Sequence, residues 1–180
     1  MKVLDTRKNL YETDDSTTHP SLTVRLARGG VIAAVYVVLV FVFAFASFGP
    51  IQLRVAEALT VMPLFYPEAI PGLWVGCLLA NVLGNYGPWD IFAGSTITGL
   101  AALLTWLLRR SRFLALAAPV VLNAFLVSLY LAPLILHVPY WPTVLTIGIG
   151  EVLAVYGLGW PLARWWERQM SRHPYQRWLR

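Results

Sequence analysis

A handful of polar side chains interrupt stretches that are otherwise apolar, and they are of the types that bind or pair. Arg54 and Glu57 lie three residues apart in IQLRVAEALTVMPLF, with Gln52 just ahead of them. Asn81 closes PGLWVGCLLAN, Asp90 follows Pro88-Trp89, Asn123 lies in VVLNAFLV, and Glu151 lies in TIGIGEVLAVYG. An ionisable group inside a bilayer costs on the order of several kcal/mol unless it is paired or solvated, so each needs a partner. Arg54 and Glu57, at i and i+3, share a helix face and can pair with each other. Asn81 and Asn123 can tie helices together by hydrogen bonds, and Asp90 can cap the helix it begins. Glu151 is the hardest to explain in this way. No basic residue lies near it in sequence, so its carboxyl is either protonated or neutralised by a cationic or amidine-like edge of a ligand.

The elements that must position these residues follow from composition. The 180-residue chain is 58% hydrophobic and 13% charged, with a mean hydropathy of +0.62. That is too apolar for a water-soluble domain and indicates an all-α integral membrane protein. Apolar runs at 31–48, 92–108, 113–138 and 144–166 approach or exceed the ~18 residues of a membrane span. Proline and glycine divide the chain into a bundle of six helices: Arg28 to Ser47, Ile51 to Val61, Glu68 to Leu83, Trp89 to Leu108, Arg112 to Leu136 and Trp141 to Gln169. The second and third are short. A dozen residues at ~1.5 Å each cover ~18 Å of a ~30 Å hydrocarbon core, so the second helix either tilts or forms a broken or re-entrant pair with the third. Residues 1–24 form a mobile polar segment, 25–170 the six-helix transmembrane domain that binds substrate, and 171–180 a basic tail.

Of the 14 basic residues, 13 fall in three places: the segment up to Arg28, the loop Arg109–Arg112, and the stretch from Arg164 onward. The positive-inside rule puts all three, and with them both termini, in the cytoplasm. The net charge of +5 therefore reads as contact with lipid headgroups, not with nucleic acid. AFAS at 44–47 imitates a signal-peptidase site, but about 30 residues precede the apolar run, so the run is expected to be a retained span. The outward connections are rich in aromatic residues. Tyr86, Trp89, Tyr140 and Trp141 suit an interfacial belt or, in a sharper reading, a lid over a ligand. On this topology the acidic and amide candidates all lie in the outer half or near the midplane, as in a site open to the outside and closed to the cytoplasm. Small residues at i, i+4 (Gly30 and Ala34, Gly72 and Gly76, Ser95 and Gly99, and the triple Thr146, Gly150 and Ala154) allow close helix packing.

Several activities are excluded. Lys2 and Lys8 are the only lysines, so there is no phosphate-binding GxxxxGK[ST] loop. His19, His137 and His173 lack metal-ligand spacing, no G-x-S-x-G occurs, and the single cysteine, Cys77, has no evident histidine partner. No catalytic residue, metal or cofactor is expected, and the chain is read as a non-enzyme.

GPIQLRVAEALTVMP, AIPGLWVGCLLANVLG, WDIFAGSTITGLAALLTW and IGEVLAVYGLGWPL together carry a resemblance. Over roughly residues 30–162 the chain resembles the QueT family of queuosine-precursor transporters, most specifically at Gln52, Arg54 and Glu57, at Pro71 to Asn81, and at Gly150-Glu151. The resemblance implies a substrate-capture (S) component of an energy-coupling factor (ECF) transporter in the bacterial cytoplasmic membrane. Such a component binds its ligand from outside, docks on a transmembrane scaffold (T) subunit carrying two ATPases, and topples to release the ligand inside. Gly30, Ala33 and Ala34 match the docking surface, and the implied ligands are 7-deazaguanine bases: preQ1, preQ0 or queuine. For such a ligand Glu151 is expected to take the N–H pair of the guanine edge, and Asn81 and Asn123 the carbonyl or pyrrole edge. Glu57 or Asp90 is expected to face the aminomethyl cation of preQ1, and Trp89, Tyr130 or Tyr140 to stack on the ring. Gln52 and Arg54 fall at the pocket mouth, where Arg54 touches either the ligand or only Glu57. Two alternatives stay open: the same fold with another vitamin-like ligand, and an integral-membrane enzyme or scaffold.

Overall fold

A serine after a proline starts the first helix earlier than the apolar pattern predicts. The computed structural model describes residues 20–44 and 53–172. Helix α1 spans Leu22–Val42, and the Ser21 side chain accepts a 3.4 Å hydrogen bond from the Val24 amide, an N-cap that satisfies one of the orphan N–H donors of a helix start. Residues 22–24, expected in the polar segment, are therefore already helical. The expected stop at Gly49-Pro50 and the rest of the N-terminal segment lie outside the described residues.

Helix α2, Val55–Leu64, is a 3-10 helix where an α-helix was expected, and it starts and ends three or four residues later than Ile51 to Val61. Pro63 does not end it, because the fixed φ of proline lies within the 3-10 range. At ~2 Å per residue the ten-residue element covers ~20 Å. Eight consecutive residues, Ala56 to Pro63, are buried, so α2 is a rod enclosed by the bundle and does not face lipid. It is followed by α3 (Ala69–Leu83), α4 (Asp90–Leu107), α5 (Arg112–Leu136) and α6 (Tyr140–Arg172). The basic tail is thus helical as far as Arg172, and residues 173–180 lie outside the described residues.

The all-helical, six-helix architecture agrees with the sequence reading, and no strand occurs among the described residues. Four helices, α1, α4, α5 and α6, are long and apolar enough to cross a membrane. Their outer faces carry exposed Val31, Phe92, Phe113, Leu129 and Leu145, as expected of a surface solvated by lipid. Three of them contain wide π-type turns that the apolar periodicity does not reveal: Asp90–Gly94 in α4, Asn123–Val127 and Leu131–Leu136 in α5, and Leu153–Gly159 in α6.

Close backbone approach holds the rod and α1 in place. A Cβ on Gly72 of α3 would lie 2.7 Å from the Gly29 carbonyl of α1, and one on Gly76 would lie 3.0 Å from Ala33 Cα and Tyr36 Cβ. A Cβ on Gly159 of α6 would meet Val61 of α2 at 2.7 Å. Gly72 and Gly76 therefore work as the small-xxx-small pair the sequence predicts. Ala33 is buried against this seam, so it is not part of an open docking face. Gly30 and Ala34 remain exposed on an adjacent face of α1.

The bundle has two chemically distinct ends. At one, Arg25 and Arg28 of α1 meet Glu68 at 3.8 and 3.2 Å. The Arg28 guanidinium also lies 4.7 Å from the Tyr66 ring centroid, and Trp166 donates to the Tyr66 hydroxyl at 3.2 Å. Arg112 pairs with Glu167 at the same end, tying the start of α5 to α6. The starts of α1 and α5 and the end of α6 thus carry the basic residues, and the start of α3 supplies the acidic partner Glu68. The other end gathers the last turns of α1, α3 and α5 and the start of α4, and it holds the polar candidates.

Candidate functional site

A cavity of about 210 Å³ opens at the end of the bundle away from the basic clusters. Its polar lining comes from Tyr36 on α1, Arg54 just before α2, Asn81 and Tyr86 at the end of α3, and Asp90 at the start of α4. Leu39, Val40, Leu131 and Ile135 make up much of the apolar wall. A mostly apolar concavity with a few convergent polar groups is the usual form of a small-molecule site.

Asp90 is the hub at the mouth. Its carboxylate Oδ1 lies 3.8 Å from Arg54 and accepts a 2.9 Å hydrogen bond from the Tyr130 hydroxyl. Its main-chain carbonyl accepts from Asn81 Nδ2 at 2.7 Å, and Asn81 also reaches Ser95 Oγ at 3.1 Å. The wide turn beginning at Asp90 brings the Ser95 amide back to the same carbonyl, which accepts from backbone and side chain together. Asp90 makes no side-chain capping bond; it links α3, α4, α5 and the segment before α2.

The Arg54–Glu57 ion pair suggested by their spacing does not form. Arg54 precedes the helix instead of lying within it, so i, i+3 no longer means a shared face, and its carboxylate partner is Asp90. Glu57, fully buried, instead accepts a 2.5 Å hydrogen bond from the Tyr36 hydroxyl on its Oε1. Thr98 and Asn123 stand beside the same carboxyl. Asn123 Nδ2 donates to Glu151 Oε1 at 3.0 Å, so Glu57, Asn123 and Glu151 form one buried polar group behind Tyr36. The second oxygens of both carboxyls, Glu57 Oε2 and Glu151 Oε2, are buried without a hydrogen-bond partner. Neither carboxyl lines the cavity itself; Tyr36 touches both the cavity and Glu57.

Of the residues predicted from sequence, the fold thus brings together Arg54, Asn81 and Asp90 at the cavity, Tyr130 on the Asp90 carboxylate, and Glu57, Asn123 and Glu151 behind it. Two aromatic candidates are not brought in. Trp89 is 51% exposed on the outside of the bundle. Tyr140 packs edge-on against Trp141 and donates to the Phe125 carbonyl at 3.2 Å from an exposed position. Both placements suit an interfacial belt better than a ligand stack. Gln52 lies outside the described residues. Sequence reasoning missed Tyr36, although it is the only hydroxyl in the apolar run from Gly29 to Val42.

The hub depends on one glycine. A Cβ on Gly94 would stand 2.9 Å from the Tyr130 hydroxyl, which is already 2.9 Å from Asp90. Gly94→Ala must tilt the Tyr130 ring and lose that bond, a cost of ~0.5–1.5 kcal/mol plus ~1–3 kcal/mol of overpacking. The gain in helix propensity, ~1 kcal/mol, offsets only part of this. Thermal unfolding of the detergent-purified variant is expected to show a clear fall in Tm, part of which Tyr130→Phe reproduces.

In chemical terms, the mouth offers a guanidinium, an amide and a carboxylate, and the interior offers two carboxyl oxygens that lack donors. This arrangement suits recognition of a small polar molecule rich in N–H groups. Among the described residues no group of His, Cys, Asp and Glu is placed to hold a metal.

A family model described as QueT transporter matches residues 26–168. The chain belongs to the QueT transporter family. Comparison with curated proteins and with solved structures gives no match.

Proposed function

We propose that this member of the QueT transporter family is the substrate-capture component of an ECF-type uptake transporter, and that its ligand is a 7-deazaguanine queuosine precursor. Family membership supports a membrane transporter component. The observation that carries the ligand reading is the buried group behind Tyr36. There two carboxyl oxygens with no donor of their own lie behind a cavity at the end of the bundle that lacks the basic clusters. A guanine-type edge supplies paired N–H donors, which a carboxylate accepts strongly. By the positive-inside rule the basic end faces the cytoplasm and the cavity faces outward, as uptake requires. The chain has no phosphate-binding loop, so in this reading ATP is hydrolysed by two partner ATPases on a transmembrane scaffold subunit. The exposed face of α1 at Gly30 and Ala34 is the side offered to that scaffold.

Calorimetry on the purified full-length chain tests the ligand reading, with preQ1, preQ0, queuine, guanine and a set of vitamins as titrants. Saturable binding of at least one 7-deazaguanine, and of none of the vitamins, is the expected result. Tight binding of an unrelated vitamin with no response to any 7-deazaguanine sinks the ligand reading and leaves the fold intact. Co-purification with a membrane scaffold and two ATPases tests the partner reading separately.

A further inference from the structure

The two buried carboxyls are held in the same manner. Glu57 gives Oε1 to the Tyr36 hydroxyl at 2.5 Å, and Glu151 gives Oε1 to Asn123 Nδ2 at 3.0 Å. In each, Oε2 is buried and has no partner. Asn123 and Thr98 stand beside the Glu57 carboxyl as well, and the strongest contacts of the other nearby donors go to other acceptors. Arg54 pairs with Asp90 at 3.8 Å, the Thr98 hydroxyl points to Cys77 Sγ at 3.5 Å, and Asn81 serves Asp90 and Ser95. A carboxyl swings easily about its last torsion, since that torsion is broad. One fixed hydrogen bond to Oε1 therefore determines where Oε2 points.

We infer that Tyr36 is a positioning residue for the ligand: its hydroxyl anchors Glu57 through Oε1 so that Oε2 is presented as a free acceptor, as Asn123 does for Glu151. The inference rests on the reading of this cluster as the ligand site. α1 can deliver the phenol because it approaches α3 at Gly76, where an added Cβ would lie 3.0 Å from Tyr36 Cβ. Tyr36 itself is 1% exposed, so the bond is sheltered from competing water. Two separately anchored oxygens on different helices make a receptor for one molecule with N–H donors at two positions. Fixing both before the ligand arrives removes an ordering cost from binding.

The test combines a spectroscopic readout with a double-mutant cycle, using the full chain in lipid nanodiscs. Isotope-edited infrared spectroscopy on glutamate-labelled protein assigns the Glu57 carboxyl band by its disappearance in Glu57→Gln. That band is expected at the position of a hydrogen-bonded carboxyl in the wild type and is expected to move in Tyr36→Phe. With preQ1 as the probe, Tyr36→Phe is expected to weaken binding about tenfold. In a Glu57→Gln background the same change should alter affinity by less than about twofold, while in a Glu151→Gln background the tenfold loss should recur. An unmoved Glu57 band, or losses that multiply fully in the Glu57→Gln background, overturns the inference. If Tyr36→Phe does not fold, the wild-type band alone decides, because a free carboxyl at Glu57 refutes the anchor. Wild-type protein that binds no 7-deazaguanine overturns the ligand reading, and the band then still decides whether Tyr36 holds Glu57.

Discussion

Glu151→Gln is expected to weaken binding of a 7-deazaguanine by about 10–150-fold while leaving the thermal stability of the ligand-free protein unchanged or slightly raised. The two effects differ in sign for one physical reason. Glu151 is 3% exposed, and its Oε2 has no hydrogen-bond partner in the ligand-free protein. A buried acceptor without a donor carries an unrelieved desolvation cost, and an amide of the same shape carries less of it. Glutamine can still accept from Asn123 through Oε1, so the α5–α6 contact persists. Toward the ligand the change is unfavourable. An oxygen that accepts N–H becomes an NH2 that faces other donors, and hydrogen bonds to a charged group, worth ~1.5–3 kcal/mol, are lost. At ~1.4 kcal/mol per tenfold change, this gives the range stated. Calorimetry and thermal unfolding on the same preparation check both halves. Unchanged affinity would remove Glu151 from the site. A large fall in Tm with proportionate loss of binding would make its role one of fold maintenance.

How far the molecule was legible in its sequence depended on which physical signal each feature leaves. Span length and punctuation leave strong ones: the bounds of α5 are those the arginine at 112 and the break at 137–139 predict, and α4 and α6 differ by a few residues. The internal wide turns leave none, because a π-type turn alters the register of the polar face without altering composition. For that reason Asp90 was readable as a polar residue at a helix start but not as the hub joining Arg54, Asn81 and Tyr130. The second helix was misread in type because a buried 3-10 rod and a short α-helix share the same apolar composition, and only its partners distinguish them. That error carried the Arg54–Glu57 pairing with it. Trp89 and Tyr140 were placed in the ligand site from residue type alone, which does not tell an inward aromatic from an interfacial one. Tyr36 was passed over as part of an apolar span, since a single hydroxyl at mid-helix gains meaning only once Glu57 is opposite it.

In the proposed complex, helix α1 separates packing from docking within three turns, and two leucine substitutions are expected to show it. Gly72→Leu is expected to abolish a stable fold. The first added carbon would lie 2.7 Å from the Gly29 carbonyl and 3.2 Å from Gly29 Cα, both backbone atoms that cannot rotate away. Overpacking by one or two methylenes costs ~1–3 kcal/mol, and a whole isobutyl group driven between two backbones costs more. Ala33 and Tyr36 are the buried residues of α1, both at this seam, so the helix has little other packing to retain it once the seam opens. Loss of monodisperse protein in detergent is the expected readout. Gly30→Leu, at the residue next to Gly29 but on an exposed face of α1, should behave oppositely. A Cβ there meets nothing within 4 Å, so folding and binding of preQ1 should match the wild type. In the proposed complex, however, Gly30 and Ala34 form a flat strip where a scaffold helix comes close, and a leucine would hold the two backbones apart. Co-purification with the scaffold and ATPases is therefore expected to fail for Gly30→Leu while the isolated subunit stays intact. A Gly30→Leu subunit that assembles normally would move the docking surface off this face of α1, and a Gly72→Leu subunit that folds normally would show that the α1–α3 seam is looser than its backbone contacts require.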